Sequence, residues 1–561
     1  MHNTLDVEHA ALKNASDPAA PSATILLDFK AAFPSLSREF IFEACRKVGL
    51  HDNVIVAMRS LYADNIHYLK LCGRVRQAFT IVSGVRQGCP LSATVFVIAT
   101  DAVIRYVTSR LRPRDMLRAY ADDIALTIAD IWQTLQGLSV AFNTVANGTR
   151  LELNHKKCVL LPGWKYSLRA LRTLLREDVP HWANFDIRDA AIYLGIGVGP
   201  KGLELSWQSP LAKFIQRANY VRGLGLGLAA QAMLYNVLAI SVLQYVAQIR
   251  PLPRIALQIE NELLPKLIPA RHNWISVAAL TRMDHILPFK TAPKSMAHFC
   301  FASATRSAMQ LSKDGYGQCW PEIGQILNTN GYLTHRHPRW HSANPDKFVH
   351  DSLTLRDVAA GTCDLDSGSS RQTMLYLLAL QSTHCTHAPG LYEYVHMKAN
   401  INGNLSFYPQ EYLLRRFKNL FNDADAIRAT QATLVTAHVL HGQPQRTLSV
   451  VLKLWLNAWP LRSCVFEHSR CLFCYEWLST PSVKHLASCS FVRKIHEKLL
   501  MRPPRSLRCL LLLSNDPEDI VKRRAHVLHT LHNTLCRIRR LENYDAMHLF
   551  WLAHRRKAPA P

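Results

Sequence analysis

The sequence shows no internal repeat, no signal-peptide pattern at its start, few carboxylates for its length and no dense cluster of cysteines of the disulfide-framework kind. Each absence narrows the possibilities. Without self-similarity at a fixed period there is no solenoid or propeller. The start, Met1-His2-Asn3-Thr4-Leu5-Asp6-Val7-Glu8, has neither the basic residues nor the apolar run of a signal peptide, so the chain reads as intracellular, cytoplasmic or nuclear. Fourteen cysteines spread over 561 residues do not make the dense disulfide framework of a short secreted protein. Uncharged apolar runs are rare too. The one long enough to span a bilayer, 223–249, holds Gln231, Asn236, Gln244 and Gln248 and opens on alternating Gly and Leu. Amides and glycines so placed are costly in lipid, which favours a buried helix pair over a membrane span.

The shortage of carboxylates has a consequence. Against 66 Lys and Arg stand 41 Asp and Glu, a formal charge of +25. Such an excess favours a polyanionic partner, nucleic acid before membrane, because each neutralised phosphate releases counterions. A merely soluble basic protein is the plainer alternative. The length suggests three or four domains at ~150 residues each.

Two adjacent carboxylates therefore stand out, at Tyr120-Ala121-Asp122-Asp123 between Leu117-Arg118-Ala119 and Ile124-Ala125-Leu126-Thr127-Ile128. This pattern reads as a β-hairpin with an acidic tip. It is either an ordinary turn, where Asp is common, or a seat for a hard divalent cation. A second carboxylate, Asp28, closes the apolar run Ala23-Thr24-Ile25-Leu26-Leu27, which reads as a buried strand. Asp28 alone is as readily a cap. Nucleotidyl transfer needs two cations about 4 Å apart, and so carboxylates converging from separate strands.

The remaining organisation is coarse. Residues 24–205 mix strands and helices in an α+β order, with Ser35 and Ser37 as helix caps, Gly49 as a stop and Pro90 opening a long helix. Residues 206–335 are mostly helical and basic, 336–372 read as a linker, and 373–460 are helical again. A Cys/His cluster lies within 461–500, and 501–561 form a basic helix and tail with Asp516 as N-cap and Pro517 at the first helical position.

Five segments in order, LDFKAAFPS (27–35), GVRQGCPLS (84–92), YADD (120–123), LELNHKK (151–157) and YLGIG (193–197), resemble the palm of reverse transcriptases, in the flavour of non-LTR (LINE-type) retrotransposons. The resemblance implies a right-hand polymerase with palm at 24–205, helical thumb at 206–335 and helical connector at 373–460. It implies that Asp28 and Asp122 bind two Mg²⁺ ions with the Phe29 carbonyl, and that Asp123 participates more weakly. Phe33 would exclude a ribose 2′-hydroxyl. Gln87 and Gly88 would shape the floor under template and incoming base, with Arg86 as a phosphate or template contact or a surface salt bridge. Lys157 would protonate the leaving pyrophosphate, Lys156 being its rival one position earlier. Tyr193, Leu194 and Gly195 would grip the primer end. The expected partners are an RNA template, a DNA primer or target and dNTPs, with no membrane; the oligomeric state is open.

By the same resemblance, residues 1–23 are a remnant of fingers or linker, most of the fingers are absent from an N-terminally truncated chain, and no apurinic-type endonuclease precedes the palm. Cys471-x2-Cys474-x10-His485-x3-Cys489 has ligand types and spacing that suit one structural Zn²⁺. LINE-type proteins carry such a Cys-Cys-His-Cys knuckle after the thumb, with Cys464 and His468 here as substitute ligands. No restriction-like nuclease is expected in the C-terminal segment. The function expected is RNA-directed DNA polymerase. An inactive relic that keeps nucleic-acid and zinc binding is the alternative, and an RNA-templated RNA polymerase is opposed by Phe33.

Overall fold

The computed structural model describes residues 2–17, 20–86, 88–250, 252–267, 274–300, 302, 303, 307, 408–461, 470–478, 482–500, 502–541 and 545–555. They fall into two compact units that divide between Gln208 and Ser209. The expected linker 336–372, Gln87, Cys464 and His468 lie outside the described residues.

The first unit is built on β1 (Ala23–Leu27), whose five residues are all buried. It lies inside a five-stranded sheet of order β4 (Met116–Tyr120), β5 (Asp123–Ile128), β1, β6 (Val159–Pro162), β7 (Asp186–Ile187). β1 runs antiparallel to both neighbours. A continuous apolar run is what a strand covered on both faces requires, and the alternation of side chains divides it. Ala23, Ile25 and Leu27 enter the main core with Ile124, Leu126 and Ile128 of β5. Leu26 and Ala125 point to the opposite face, where they meet Val7, Leu161 and Tyr193.

Helices cover the main core. α3 (Arg38–Lys47) is capped by Ser37, whose side chain accepts from Phe40 N–H, and the chain turns at Gly49 with φ +95°. α5 (Pro90–Thr108) starts on its proline and buries Val95, Phe96, Ala99, Val103 and Val107 along one stripe. α6 (Ile131–Thr149) buries Leu135, Leu138, Phe142 and Val145 in the same way.

Residues 2–15, within the stretch expected as a remnant of fingers or linker, form a helix, α1 (His2–Ala15), with Leu5, Val7 and Leu12 buried. Its polar residues misled the reading because they bond to the sheet rather than to water. Asn3 Nδ2 donates to the Ala119 carbonyl at 2.8 Å, and Asp6 pairs with Arg118 at 2.6 Å. The first of these bonds gives a partner to a backbone carbonyl of β4, an outer strand of the sheet, and the second pairs side chains across the same contact.

In the second unit, the stretch expected as a helix pair is one helical run from Leu228 to Ala247, broken by a π turn at Tyr235–Ala239 and a 3₁₀ turn at Ile240–Leu243. Two of its amides, Gln231 and Asn236, bond within the unit. Gln231 Nε2 donates to the Val221 carbonyl, while Asn236 donates to Ala292 O and accepts from Lys294 N–H at 2.9 and 2.8 Å. By length and composition this run and α5 could each cross a membrane. The helices Asp423–Val439, Gln445–Trp455 and Glu518–Ile538 pack together, and Trp455 Nε1 donates to Leu511 O at 2.7 Å. Asp516 is not the N-cap of the last of these; Pro517 is. The Asp516 carboxylate instead accepts from the buried Arg524 guanidinium and from Ser514. A guanidinium taken out of water needs a carboxylate more than a helix end does.

Candidate active site

The register of the sheet brings the carboxylates together. Leu27 pairs with Ile124, so Asp28 and Asp123 are the next residues on two adjoining strands. β4 and β5 close at the pair Tyr120–Asp123, leaving Ala121 and Asp122 as a two-residue turn. Ala121 takes φ +54°, a left-handed conformation that raises a non-glycine residue by about 1 kcal/mol. The Asp123 carboxyl is pushed above the usual carboxylate range, first by burial and then by the charges of Asp122 and Asp28. Asp28 Oδ2 is shielded from solvent and accepts no hydrogen bond. Three mutually repelling carboxylates with an orphaned oxygen suit a hard divalent cation.

Asp28 is held by the loop that precedes β6. Asn154 N–H donates to its carbonyl at 2.7 Å, and its own N–H donates to Cys158 Sγ at 3.4 Å. Cys158 is fully buried, and that burial pushes its thiol up to about 11. The Lys157 ammonium lies 4.0 Å from Asp28 Oδ2, whereas Lys156 makes no ion pair among the described residues. Lys30 pairs with Glu152 at 3.0 Å and its N–H donates to Glu152 O, tying the same loop to the residues after β1, where Phe29 bridges Leu153.

Phe33 is half-buried and stacks on Phe96 at 4.2 Å between ring centroids. Its carbonyl accepts from Val85 N–H at 2.9 Å, which docks the glycine-bounded loop against it. Gly84 is required there. It has φ +68°, and a Cβ would stand 2.3 Å from the Phe33 oxygen and from Pro34 Cα. Gly84→Ala is expected to lose about 2–4 kcal/mol, through overpacking and the left-handed backbone together, as a lower denaturation midpoint. An unchanged midpoint would show that the loop sits elsewhere. Gly88 also has positive φ, +86°, in open space.

Arg86 Nη2 donates to Leu61 O at 2.6 Å and its guanidinium lies over the Tyr62 ring. Arg38, which the motifs did not single out, donates to the carbonyls of Tyr62, Ile81, Ser83 and Gly84 and so clamps the loop to α3. Nothing local signals such a role; four convergent carbonyls exist only in the folded chain.

Tyr193 ends β8 (Ala191–Tyr193), which pairs with β9 (Ile196–Val198) through a turn in which Leu194 and Gly195 have φ +49° and +80°. The Tyr193 hydroxyl donates to Arg118 O at 3.3 Å. Burial, reinforced by the Asp123 charge, pushes it up to about 12. The fold thus gathers Asp28, Asp122, Asp123, Lys157 and Tyr193 around the hairpin, while Phe33, Arg86 and Gly88 belong to the adjoining loop.

In the second unit, ligand atoms of Cys471, Cys474, His485 and Cys489 all lie within 4.8 Å of one another. Cys471 and Cys489 sulfurs are 4.0 Å apart, and Cys474 Sγ is 3.2 Å from His485 Nε2. A tetrahedral zinc with Zn–S near 2.3 Å needs S···S edges of about 3.8 Å, so the donor set fits. Two of the ligands come from a tight turn closed by the Arg470–Trp477 bridge, the other two from the helix Val483–Ser488 and the residue after it. The Cys471 and Cys489 thiols share a hydrogen bond, which lowers Cys471 and raises Cys489. His485 Nδ1 faces Glu476 at 3.9 Å, the outer carboxylate common behind metal-bound histidine.

The reverse transcriptase (RNA-dependent DNA polymerase) family matches residues 1–196. The Transposon TX1 uncharacterized 149 kDa protein of Xenopus laevis is 25% identical over 117 residues, 19% of this chain and 9% of that protein. The Retrovirus-related Pol polyprotein from type-2 retrotransposable element R2DM of Drosophila melanogaster is 28% identical over 140 residues, 24% of this chain and 13% of that one. The chain therefore covers far less than two thirds of either relative. Apo telomerase from Candida tropicalis, truncated from its C-terminal domain, superposes at TM-score 0.26 with 15% identity over 35% of this chain and 37% of the other. The ordered motifs, the sheet that gathers their carboxylates and the family match fall on the same stretch: residues 1–196 match the reverse transcriptase (RNA-dependent DNA polymerase) family, and the two relatives are themselves named as transposable-element proteins.

Proposed function

We propose that this chain is an RNA-directed DNA polymerase that extends a primer 3′-hydroxyl with deoxynucleoside triphosphates on an RNA template. The observation that carries it is the meeting of Asp28 with Asp122 and Asp123 across the β1–β5 register, around a shielded, unbonded Asp28 oxygen. Asp28 and Asp122 would hold two divalent cations of the magnesium type with the Phe29 carbonyl, and Asp123 would assist. Such ions, when bound, lower the pKa of the attacking hydroxyl and neutralise the triphosphate. Lys157, beside Asp28, would hold the proton that the leaving pyrophosphate takes up. Tyr193 would position the primer end, and Arg86, Gln87 and Gly88 the template and incoming base. The first unit would be the palm, the basic helices after it the thumb, and the Cys3His cluster a zinc knuckle that contacts nucleic acid.

Phe33 would set the sugar preference, with Phe96 behind it to hold the ring in place. The test is primer extension on an RNA template with either dNTPs or NTPs. The wild type should use dNTPs, and Phe33→Ala should raise ribonucleotide incorporation at least about tenfold, since the ring acts by excluding the competitor. Extension with NTPs by the wild type would favour an RNA polymerase. No extension by folded, metal-supplied protein would favour the inactive nucleic-acid-binding relic.

A further inference from the structure

We propose that one face of the hairpin β2 (Ile66–Leu71) and β3 (Arg74–Thr80) is a docking surface for a single strand of nucleic acid, a surface that uses none of the carboxylates of the candidate active site. The two strands pair only with each other, and every strand residue except His67 is exposed. A two-stranded hairpin with both faces in water is marginal by itself. This one is fixed at its base by the Arg38 clamp and by Ile81 N–H donating to Asn65 O at 2.9 Å.

The register sorts its side chains. Pairs His67–Phe79, Leu69–Arg76 and Leu71–Arg74 share one face, with the bulge between His67 and Tyr68 preserving that alternation along β2. That face carries a stacked His67–Phe79 pair, ring centroids 5.5 Å apart, then leucines, then two arginines two positions apart. Its charge is uncompensated. No Asp or Glu occurs between Asp64 and Asp101, and among the described residues Arg74 and Arg76 make no ion pair. An exposed apolar face with unpaired arginines suits a ligand offering phosphates and aromatic rings together. A single strand presents both, because its bases are unstacked and can lie on Phe79 while its phosphates meet the arginines. A duplex hides its bases, and another protein would have to bring the carboxylates this surface lacks.

Fluorescence anisotropy with a labelled oligouridylate, and with a duplex of equal length, tests this on the full chain. The buffer holds no divalent cation or dNTP and the background is Asp122→Asn, so the outcome is independent of the polymerase reading. Arg74→Ala combined with Arg76→Ala should weaken single-strand binding and lower the slope of log K against log salt by about 1.4, two contacts at about 0.7 each. Phe79→Ala should weaken it roughly 5- to 150-fold and leave the slope unchanged. All three positions are exposed, and matching melting curves would confirm that the variants fold. Unchanged affinity and slope in both variants overturns the proposal. So does an equal loss on duplex and single strand, or a wild-type dimer in sedimentation that Phe79→Ala dissolves, which would assign the face to a second copy of the chain.

Discussion

Asp122→Asn is expected to lower RNA-templated primer extension at least about 10³-fold, since removal of one metal-bound carboxylate forfeits several kcal/mol of transition-state stabilisation. The variant should fold as well as the wild type. Asp122 sits in a two-residue turn and carries none of the core, and the metal-free cluster is self-repelling. The repulsion gives a second readout. The folded-state Asp123 carboxyl titrates above its unfolded counterpart, so its contribution to stability is fully present below the ordinary carboxylate range. It is lost as the pH rises through the raised value, because the folded state then has to ionise a group that burial, Asp122 and Asp28 disfavour. In metal-free buffer the wild type should therefore lose stability over that rise, and Asp122→Asn should lose less. At neutral pH, Mg²⁺ should raise the melting temperature of the wild type more than that of the variant. Full extension by Asp122→Asn would remove Asp122 from the chemistry, and a flat pH response in both would separate the carboxylates in space.

The second large effect concerns the Cys3His cluster. The 561-residue chain prepared in zinc-containing medium should carry one zinc per chain by elemental mass spectrometry, and Cys489→Ser should carry none. Loss of a structural metal belongs with the most damaging single changes, on the order of 4 kcal/mol, which corresponds to roughly 10 °C in a domain of this size. Chelation of the wild type should bring the same fall, and added zinc should reverse it. Cys489 and Cys471 are buried and the helix Val483–Ser488 ends against them, so without the metal their two thiols are held among apolar residues, facing each other at 4.0 Å. Protein without zinc that melts with Cys489→Ser at the same temperature would reduce the cluster to ordinary buried cysteines.

Much of this was written into local sequence. Residue type and short spacing were enough to single out YADD as a hairpin, Asp28 at a strand end and the four zinc-type ligands, because ligand chemistry and the two-residue alternation of a strand are local properties. The same reading missed α1, since Asn3 and Asp6 look solvent-facing until β4 offers them a carbonyl and an arginine. It also made Asp516 a cap, because the buried Arg524 that claims it lies a turn and more into the next helix.

Only the tertiary structure decided which strand lies beside which. Alternation marks β1 as a strand but is silent on its neighbours; the antiparallel register with β5 makes Asp28 and Asp123 adjacent, and the register with β6 brings Cys158 and Lys157 behind them. The seat of Gly84 against Pro34, the four-carbonyl clamp of Arg38 and the exposure of the basic hairpin are of the same kind. The sequence alone determined the chemical groups and their order, because those reside in single residues and short spacings. Their convergence belongs to the fold, because long-range strand pairing is set by how distant apolar faces bury one another.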